Sequence, residues 1–329
     1  MNTRLISVVT GANGFVGSHL VDLLLEKGHE VHCIVRQSSN LRWLKDKPVK
    51  IYDCGLYDKD SLKPILKDAD YLFHVAGVVK AKDKEGYYRG NVDPTRILLE
   101  VLTEVNTGIK KVVIVSSQTA AGPSIDGAPV NEKAVPNPIT TYGRSKLAQE
   151  ETARSFMDRL PINIVRAVAV YGPRDTEIYL VFKTYQKGLM TIIGFNKKEL
   201  SLIHVKDLVD GLYLAGISDT KGQVYFIGSE EYYNWPQVGE VFAKAIGKKA
   251  LTIRLPHSLV YTVAAVAQFF AMFSRQAATF NIEKARDFVQ AAWTCDVSKA
   301  KNELGFRQNM SIDEGIKTTV DWYREKGWL

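Results

Sequence analysis

The sequence predicts an α/β protein: a doubly wound parallel sheet, accompanied by a smaller and mostly helical C-terminal region. Three observations point there. Through the first half, short runs of nearly continuous Val and Ile alternate with amphipathic helical stretches, as strands covered on both faces require. The glycine turn TGANGFVG (10–17) joins the first such strand to the first helix. At 329 residues, 46% hydrophobic and 24% charged, the chain is long enough for one large core and a companion.

The elements follow in order. LISVVT (5–10) reads as a strand, and FVGSHLVDLLLEK (15–27) as a helix that Gly28 stops. EVHCIV (30–35) and VKIYDC (49–54) are strands, SLKPILKD (61–68) is helical, and YLFHVAG (71–77) is the next strand. NVDPTRILLEVLTEV (91–105) is expected as a helix with Pro94 in its first turn. Strand KVVIVSS (111–117), helix SKLAQEETARSFM (145–157) and strand INIVRAVAV (162–170) continue the alternation. Beyond Tyr171-Gly172-Pro173 it weakens. LSLIHVKDLVDGLYLAG (200–216) and QVYFIGS (223–229) supply one more helix and strand to the sheet, and the rest is mostly helical.

Composition narrows the function. The opening MNTRLISVVTGANG lacks a long apolar stretch and a cleavage site, so a cytoplasmic protein is expected. Cys33, Cys54 and Cys295 have no metal-ligand spacing and are expected as reduced thiols, with no metal bound. The net charge of +7 is spread over scattered lysines, and the densest basic stretch, VKAKDKE (79–85), contains acids. Nucleic acid is therefore not the expected partner; an anionic small molecule or an acidic membrane surface fits the charge equally. The longest apolar run (259–273) is shorter than the roughly 20 residues that cross a bilayer, and Gln268 interrupts it. A helix buried in the fold is expected there, with an apolar lid or a helix resting on a membrane as the alternatives.

The glycine turn points to a dinucleotide. Gly11 allows the turn, Gly14 lets the backbone approach a pyrophosphate, and Gly17 lets the helix pack on the strand. The helix N-terminus offers N–H groups to phosphate. An NAD site of this kind places an acid at the end of the second strand, but here the strand ends Ile34-Val35-Arg36-Gln37-Ser38-Ser39. Arg36 is placed to pair with a 2′-phosphate, and Ser38 or Ser39 to donate to it, which favours NADP(H) and leaves NAD(H) open. Alternatively Arg36 is an exposed strand-end arginine. Asp53, after the third strand, either accepts from an adenine amino group or caps a helix. On this reading 1–172 form a Rossmann-type dinucleotide-binding domain to which 200–228 return, and 173–199 with 229–329 form a substrate-binding region.

Two Tyr–Lys pairs share a four-residue spacing, Tyr142–Lys146 and Tyr179–Lys183. On a helix such a pair shares one face, and an ammonium beside a phenol lowers its pKa toward a working base. Tyr142 follows a strand whose carboxyl end carries Ser117, a hydroxyl able to hold a substrate oxygen. Tyr179 has no such strand end upstream and is expected to pack in an ordinary amphipathic helix.

TGANGFVG, Asp53, FHVAG (73–77), NVDPT (91–95), VSSQTAAG (115–122), YGRSK (142–146), VRAVAVYGP (165–173) and LIHVKDL (202–208) occur in order along the chain. With them the sequence resembles the extended short-chain dehydrogenases/reductases: sugar-nucleotide epimerases and dehydratases, 3β-hydroxysteroid dehydrogenases and dihydroflavonol reductases. The resemblance implies a catalytic triad of Ser117, Tyr142 and Lys146, with Ser116 as the alternative serine. It implies cofactor contacts from Gly11, Asn13, Gly14, Phe15, Val16, Gly17, Arg36, Ser39, Asp53, Cys54, Val75, Ala76, Gly77, Asn91, Tyr142 and Lys146. Thr119 and Val79 would face the substrate, and a homodimer is expected.

The chain departs from that pattern at Arg36, at Ala167 where the family often has proline, and in GFNKKELSLIHV (194–205), which lacks an arginine found in many sugar-nucleotide members. The first reading is therefore an NADP(H)-dependent oxidoreductase acting on a secondary alcohol or ketone, with Phe269, Phe270 and Phe273 suiting an apolar substrate. The second is a sugar-nucleotide epimerase or dehydratase with tightly held NAD(P), its diphosphate met by Arg174, Lys197, Lys198 and Arg254. The third is a non-catalytic dinucleotide sensor, which has no need of all three triad residues.

Overall fold

The structure, a computed structural model, describes residues 4–125, 127–273 and 280–329. The Val/Ile runs form strands β1 (Ile6–Thr10), β2 (Glu30–Ile34), β3 (Val49–Tyr52), β4 (Tyr71–His74), β5 (Lys111–Ser117) and β6 (Ile162–Ala167). Between them run α1 (Phe15–Glu26), α2 (Lys59–Leu66), α3 (Lys84–Val105), the single turn α4 (Gln118–Ala121) and α5 (Thr141–Arg154). The remainder comprises β7 (Ala169–Tyr171), α6 (Tyr179–Gln186), β8 (Leu189–Ile193), β9 (Glu199–Leu200), β10 (Leu202–His204), α7 (Val205–Ile217) and β11 (Gln223–Ile227). It ends with β12 (Tyr233–Asn234), α8 (Trp235–Ile246), β13 (Leu251–Leu255), α9 (His257–Met272), α10 (Ile282–Val289), β14 (Ala292–Trp293), α11 (Ser298–Leu304) and α12 (Ile312–Glu325).

Seven strands form one sheet in the order β11-β6-β5-β4-β1-β2-β3, and every pairing is parallel. Both faces are covered, which is why the strands are apolar throughout rather than alternating. Leu20, Leu24, Leu208, Leu212 and Leu304, from α1, α7 and α11, pack on one face. Leu62, Leu66, Leu98, Leu102 and Ala153, from α2, α3 and α5, pack on the other. The strand order reverses at β1, so the carboxyl ends of β1 and β4 border a crevice where such sheets hold ligands. A separate cluster of Tyr171, Phe182, Tyr185, Phe242 and Tyr323 forms the heart of the C-terminal region.

Three sequence expectations need correction. α3 begins at Lys84 rather than Asn91, because Asp83 caps it by accepting from Gly86 N at 2.7 Å. Pro94 therefore lies inside the helix instead of in its first turn. The single helix expected over 200–216 begins as β10, which pairs parallel to β7 before α7 starts. The apolar run at 259–273 is helical but not buried: only Val260 and Ala264 of α9 are enclosed, while Phe269 is 56% and Phe270 67% exposed. Its inner side meets a small cluster (Leu255, Tyr261, Phe280, Ile282, Val289), and no second layer covers the outer side among the described residues.

One polar group is fixed deep in the apolar layers. Glu150 of α5, fully enclosed, receives both Nε and Nη2 of Arg166 from β6 (2.9 and 2.8 Å) and the Ser116 hydroxyl from β5 (2.6 Å). Replacing Glu150 by Gln leaves the Arg166 guanidinium, 2% exposed, without a countercharge. The expected cost is about 3–5 kcal/mol, read as a lower urea midpoint and Tm; an unchanged midpoint would show the pair to be dispensable.

Candidate dinucleotide site and active site

The glycine turn is sterically fixed. Gly11 has φ +68°, and a Cβ there would lie 2.8 Å from Ala76 Cα, so the β1 and β4 loops touch. A Cβ on Gly17 would run into the Gly11 carbonyl oxygen. Gly14, which precedes α1, brings no side-chain cap, so the first-turn N–H groups and the helix dipole are left for an anion. Asn13, Phe15 and Val16 lie on the same turn, half-buried. These features fit a dinucleotide pyrophosphate.

Arg36 is exposed just past the carboxyl end of β2, where its backbone bridges Cys54. Ser39 closes a turn on it: Ser39 Oγ accepts from Arg36 N (3.1 Å), and Ser39 N donates to Arg36 O (2.8 Å). Asp53 is exposed and Cys54 half-buried beside them. Val75, Ala76 and Gly77 form the loop after β4, and Asn91 ties that loop down. Its Oδ1 accepts from Val78 N (2.7 Å), while its Nδ2 donates to Val78 O (3.1 Å) and Ser145 Oγ (2.9 Å). Val79 is exposed on the same loop.

The two serines of β5 separate cleanly. The Ser116 hydroxyl is committed to Glu150, whereas Ser117 Oγ accepts from Thr119 Oγ1 (2.9 Å) and stands close enough to the Tyr142 phenol to favour its ionised form. Tyr142 lies in the first turn of α5, which Thr140 caps by accepting from Gly143 N (3.1 Å). Lys146, one turn on, is buried, and its Nζ donates to Val115 O (2.7 Å). A Cβ on Gly77 would lie 3.7 Å from that Nζ, so the ammonium borders the β4 loop. Thus Ser117, Thr119, Tyr142 and Lys146 converge at the carboxyl ends of β4 and β5. By contrast Tyr179 donates to Trp328 O (2.5 Å) and carries Lys183 over its ring at 5.8 Å, inside the C-terminal cluster.

The electrostatics differ from the sequence expectation. Burial pushes the Tyr142 phenol up to about 12, with the Ser117 hydroxyl pulling the other way. Burial also pushes Lys146 down to about 8, against the attraction of Glu150. Lys146 does not lower the phenol in this arrangement, because its ammonium is turned to the Val115 carbonyl. His74, buried between Thr10 and Thr95, is pushed down to about 3 and stays neutral.

The C-terminal region closes over Tyr142. Glu283 of α10 accepts from Thr141 N (2.9 Å) and Thr141 Oγ1 (2.6 Å), and Arg286 donates to Ile139 O (3.1 Å). Tyr87 of α3 approaches the Tyr142 ring, centroid to centroid 6.2 Å. Beside them opens a cavity of about 400 Å³ lined by Lys84, Tyr87, Thr141, Gln268, Met272 and Glu283 among others. Asp287 of α10 bears electrostatically on both tyrosines, and its Oδ1 is buried with no partner among the described residues.

Sequence reasoning did not pick out Glu150, Glu283 or Asp287. Glu150 carried a usable signal, since Tyr142, Lys146 and Glu150 are four residues apart and share a face. Glu283 and Asp287 have the same spacing, but no motif anchors their segment. All four cations considered for a diphosphate are already engaged, Arg254 by donating to the Gly194 carbonyl (3.3 Å). Arg174 binds Asp22 (2.7 Å) and Ser18 (3.1 Å), Lys197 binds Glu199 (2.7 Å), and Lys198 donates to the carbonyls of Val289 and Gln290 (2.6 and 2.7 Å).

The profile of the NAD-dependent epimerase/dehydratase family matches residues 7–228. A ceramide reductase of Caulobacter vibrioides is 29% identical over 329 residues, covering 100% of this chain and 97% of the relative. A putative dihydroflavonol 4-reductase of a Synechocystis species is 30% identical, with coverages of 98% and 95%. In fold the chain is similar to UDP-glucose 4-epimerase with UDP-glucose from Thermotoga maritima, at TM-score 0.80, 23% identity and coverages of 98% and 99%. The chain belongs to the NAD-dependent epimerase/dehydratase family.

Asp287 makes stability depend on pH. Burial, with Glu283 nearby, raises its carboxyl from the usual 3.8 to about 7, against Lys284 and Arg286. The native state therefore keeps a proton that the unfolded chain releases, and stability falls as pH rises from about 4 to 7. Asp287→Asn should raise Tm at pH 8 and match the wild type near pH 4; a gain that is equal at both pH values would contradict this.

Proposed function

We propose that the protein is an NADP(H)-dependent oxidoreductase that moves hydride between the cofactor and a secondary alcohol or ketone carried on an apolar, lipid-like molecule. The observation that carries this reading is the convergence of Ser117, at the carboxyl end of β5, with Tyr142 in the first turn of α5 and Lys146 buried one helical turn further on. Gly11, Gly14 and Gly17 hold the pyrophosphate at the start of α1, Arg36 and Ser39 meet the 2′-phosphate, and Lys146 holds the nicotinamide ribose. When bound, the cofactor supplies nicotinamide C4 as hydride acceptor or donor.

The chain's own groups handle the proton. Ser117 Oγ holds the substrate oxygen, with Thr119 Oγ1 donating to Ser117 to fix its direction. In the oxidative direction the Tyr142 phenolate takes the hydroxyl proton as the carbon gives up hydride, leaving a ketone; reduction reverses both transfers.

The engaged state of Arg174, Lys197 and Lys198 weighs against a sugar diphosphate, which needs free cationic partners. The ceramide reductase and the dihydroflavonol reductase-like relative, each similar along nearly its whole length, support reductive chemistry on an apolar alcohol or ketone.

Tyr142→Phe is expected to lower kcat/KM for NADPH-dependent reduction of apolar ketones by at least ~100-fold while leaving NADPH affinity within about twofold. Turnover equal to wild type would remove Tyr142 from the mechanism, and wild-type turnover of UDP-sugars with retained NAD would favour the epimerase reading. Arg36→Ala should weaken NADPH binding by ~10–100-fold and NADH binding little, as loss of one charged hydrogen-bonded contact predicts. Equal losses for both cofactors would sink the 2′-phosphate role.

A further inference from the structure

α9 presents an apolar face that the protein does not cover. From His257 to Phe273 there is no Lys, Arg, Asp or Glu. Leu259, Val263, Val266, Phe270 and Phe273 recur at spacings of three and four, so they form one stripe along the helix. All are exposed, Phe273 to 78%, and Phe269 and Met272 widen the stripe. Phe195, 71% exposed, belongs to the same region: the loop at Gly194 abuts His257, at the start of α9. An isolated exposed apolar side chain is unremarkable, but a continuous aromatic-rich stripe of this length marks an interaction surface.

The segment that carries the stripe is basic. Residues 241–282 contain Lys244, Lys248, Lys249, Arg254 and Arg275 and no Asp or Glu, Lys244 being paired with Asp313 (3.1 Å), and the next acids along the chain, Glu283 and Asp287, lie on α10, which packs on α9. Two copies joined through this face would bring like charges together, whereas an acidic lipid surface offers counterions. Sixteen residues make a helix about 24 Å long, and no helix among the described residues is long and apolar enough to cross a membrane. A helix of this kind lies in the plane of the interface, its apolar side among the acyl chains.

The stripe also connects to the site. Gln268 and Met272 line the cavity beside Tyr87 and Thr141, and Met272 is 74% exposed, so one residue belongs to both the cavity wall and the outer surface. We propose that α9 seats the protein on the surface of an acidic lipid bilayer, with the cavity beside Tyr142 opening at the membrane. The inference does not depend on the reaction assigned above, and its test does not use turnover as evidence.

The test is flotation of the purified full chain with vesicles of phosphatidylcholine alone and of phosphatidylcholine with 30% phosphatidylglycerol (a composition chosen on the principle that basic segments favour acidic lipid). Wild type should float with the acidic vesicles, bind the neutral ones at least ~10-fold less well, and lose most binding as salt screens the charges. The double variant Val266→Ser/Phe270→Ser, altered only on the exposed stripe, should lose at least ~10-fold in acidic-vesicle binding. Its Tm and its NADPH affinity should remain those of wild type. Wild type that binds neither vesicle, or a variant that binds as well as wild type, overturns the proposal. A variant that turns a dimer into a monomer by light scattering while wild type ignores vesicles would show that a second copy covers α9.

Discussion

The site depends on how α5 is fixed against the sheet, and that is the work of one buried carboxylate. Glu150 takes hydrogen bonds from Ser116 on β5 and from Arg166 on β6, so helix and two strands are locked in one register. Because Tyr142 and Lys146 precede it by two turns and one turn on the same face, fixing Glu150 fixes where both point. Ser116 and Ser117, adjacent on β5, face opposite ways as strand residues must. One is spent on the helix anchor, which leaves the other at the open end of the strand beside Tyr142. A single strand thus supplies both the anchor and the hydroxyl partner.

The other end of α5 is held from a distant part of the chain. Glu283, 142 residues after Thr141, accepts from its backbone N–H and hydroxyl, in addition to the local cap from Thr140. A carboxylate at a helix N-terminus is favoured by the helix dipole as well as by the free N–H groups. The consequence is mechanical: α10 and its packing partner α9 are tied to the helix that carries Tyr142. The C-terminal region is therefore no loose companion of the sheet, since Glu283 joins α10 directly to the first turn of α5.

How far the sequence could be read follows from which constraints are local. The sheet was legible because strands covered on both faces must be continuously apolar, and the glycine turn because Gly11 and Gly17 have no room for a Cβ. The placement of Tyr142, and not Tyr179, near Ser117 was legible because strand order puts Ser117 before one and not the other. The start of α3 was missed because Asp83 caps it from within a charged stretch that has no apolar period. The phenol's high pKa was missed because spacing says that Lys146 shares a face with Tyr142, not that its ammonium turns to Val115 O. The exposure of α9 could not be read from the sequence, because an apolar run fits a buried helix and an uncovered one equally and only the packing partners decide between them.

The polarity of the site follows from what its charges are already doing. A diphosphate bound near α6 or β9 would have to draw Arg174 away from Asp22 or Lys198 away from two carbonyls that its departure would leave bare, and each exchange costs a buried contact. The cavity is lined by Lys84, Thr141, Gln268, Asn281 and Glu283 as well as by Tyr87 and Met272, and Asp287, whose Oδ1 has no partner among the described residues, stands one turn beyond Glu283 on α10. The cavity and the uncovered face of α9 meet at Met272, which lines the one and is exposed on the other, so whatever covers that face also borders the cavity.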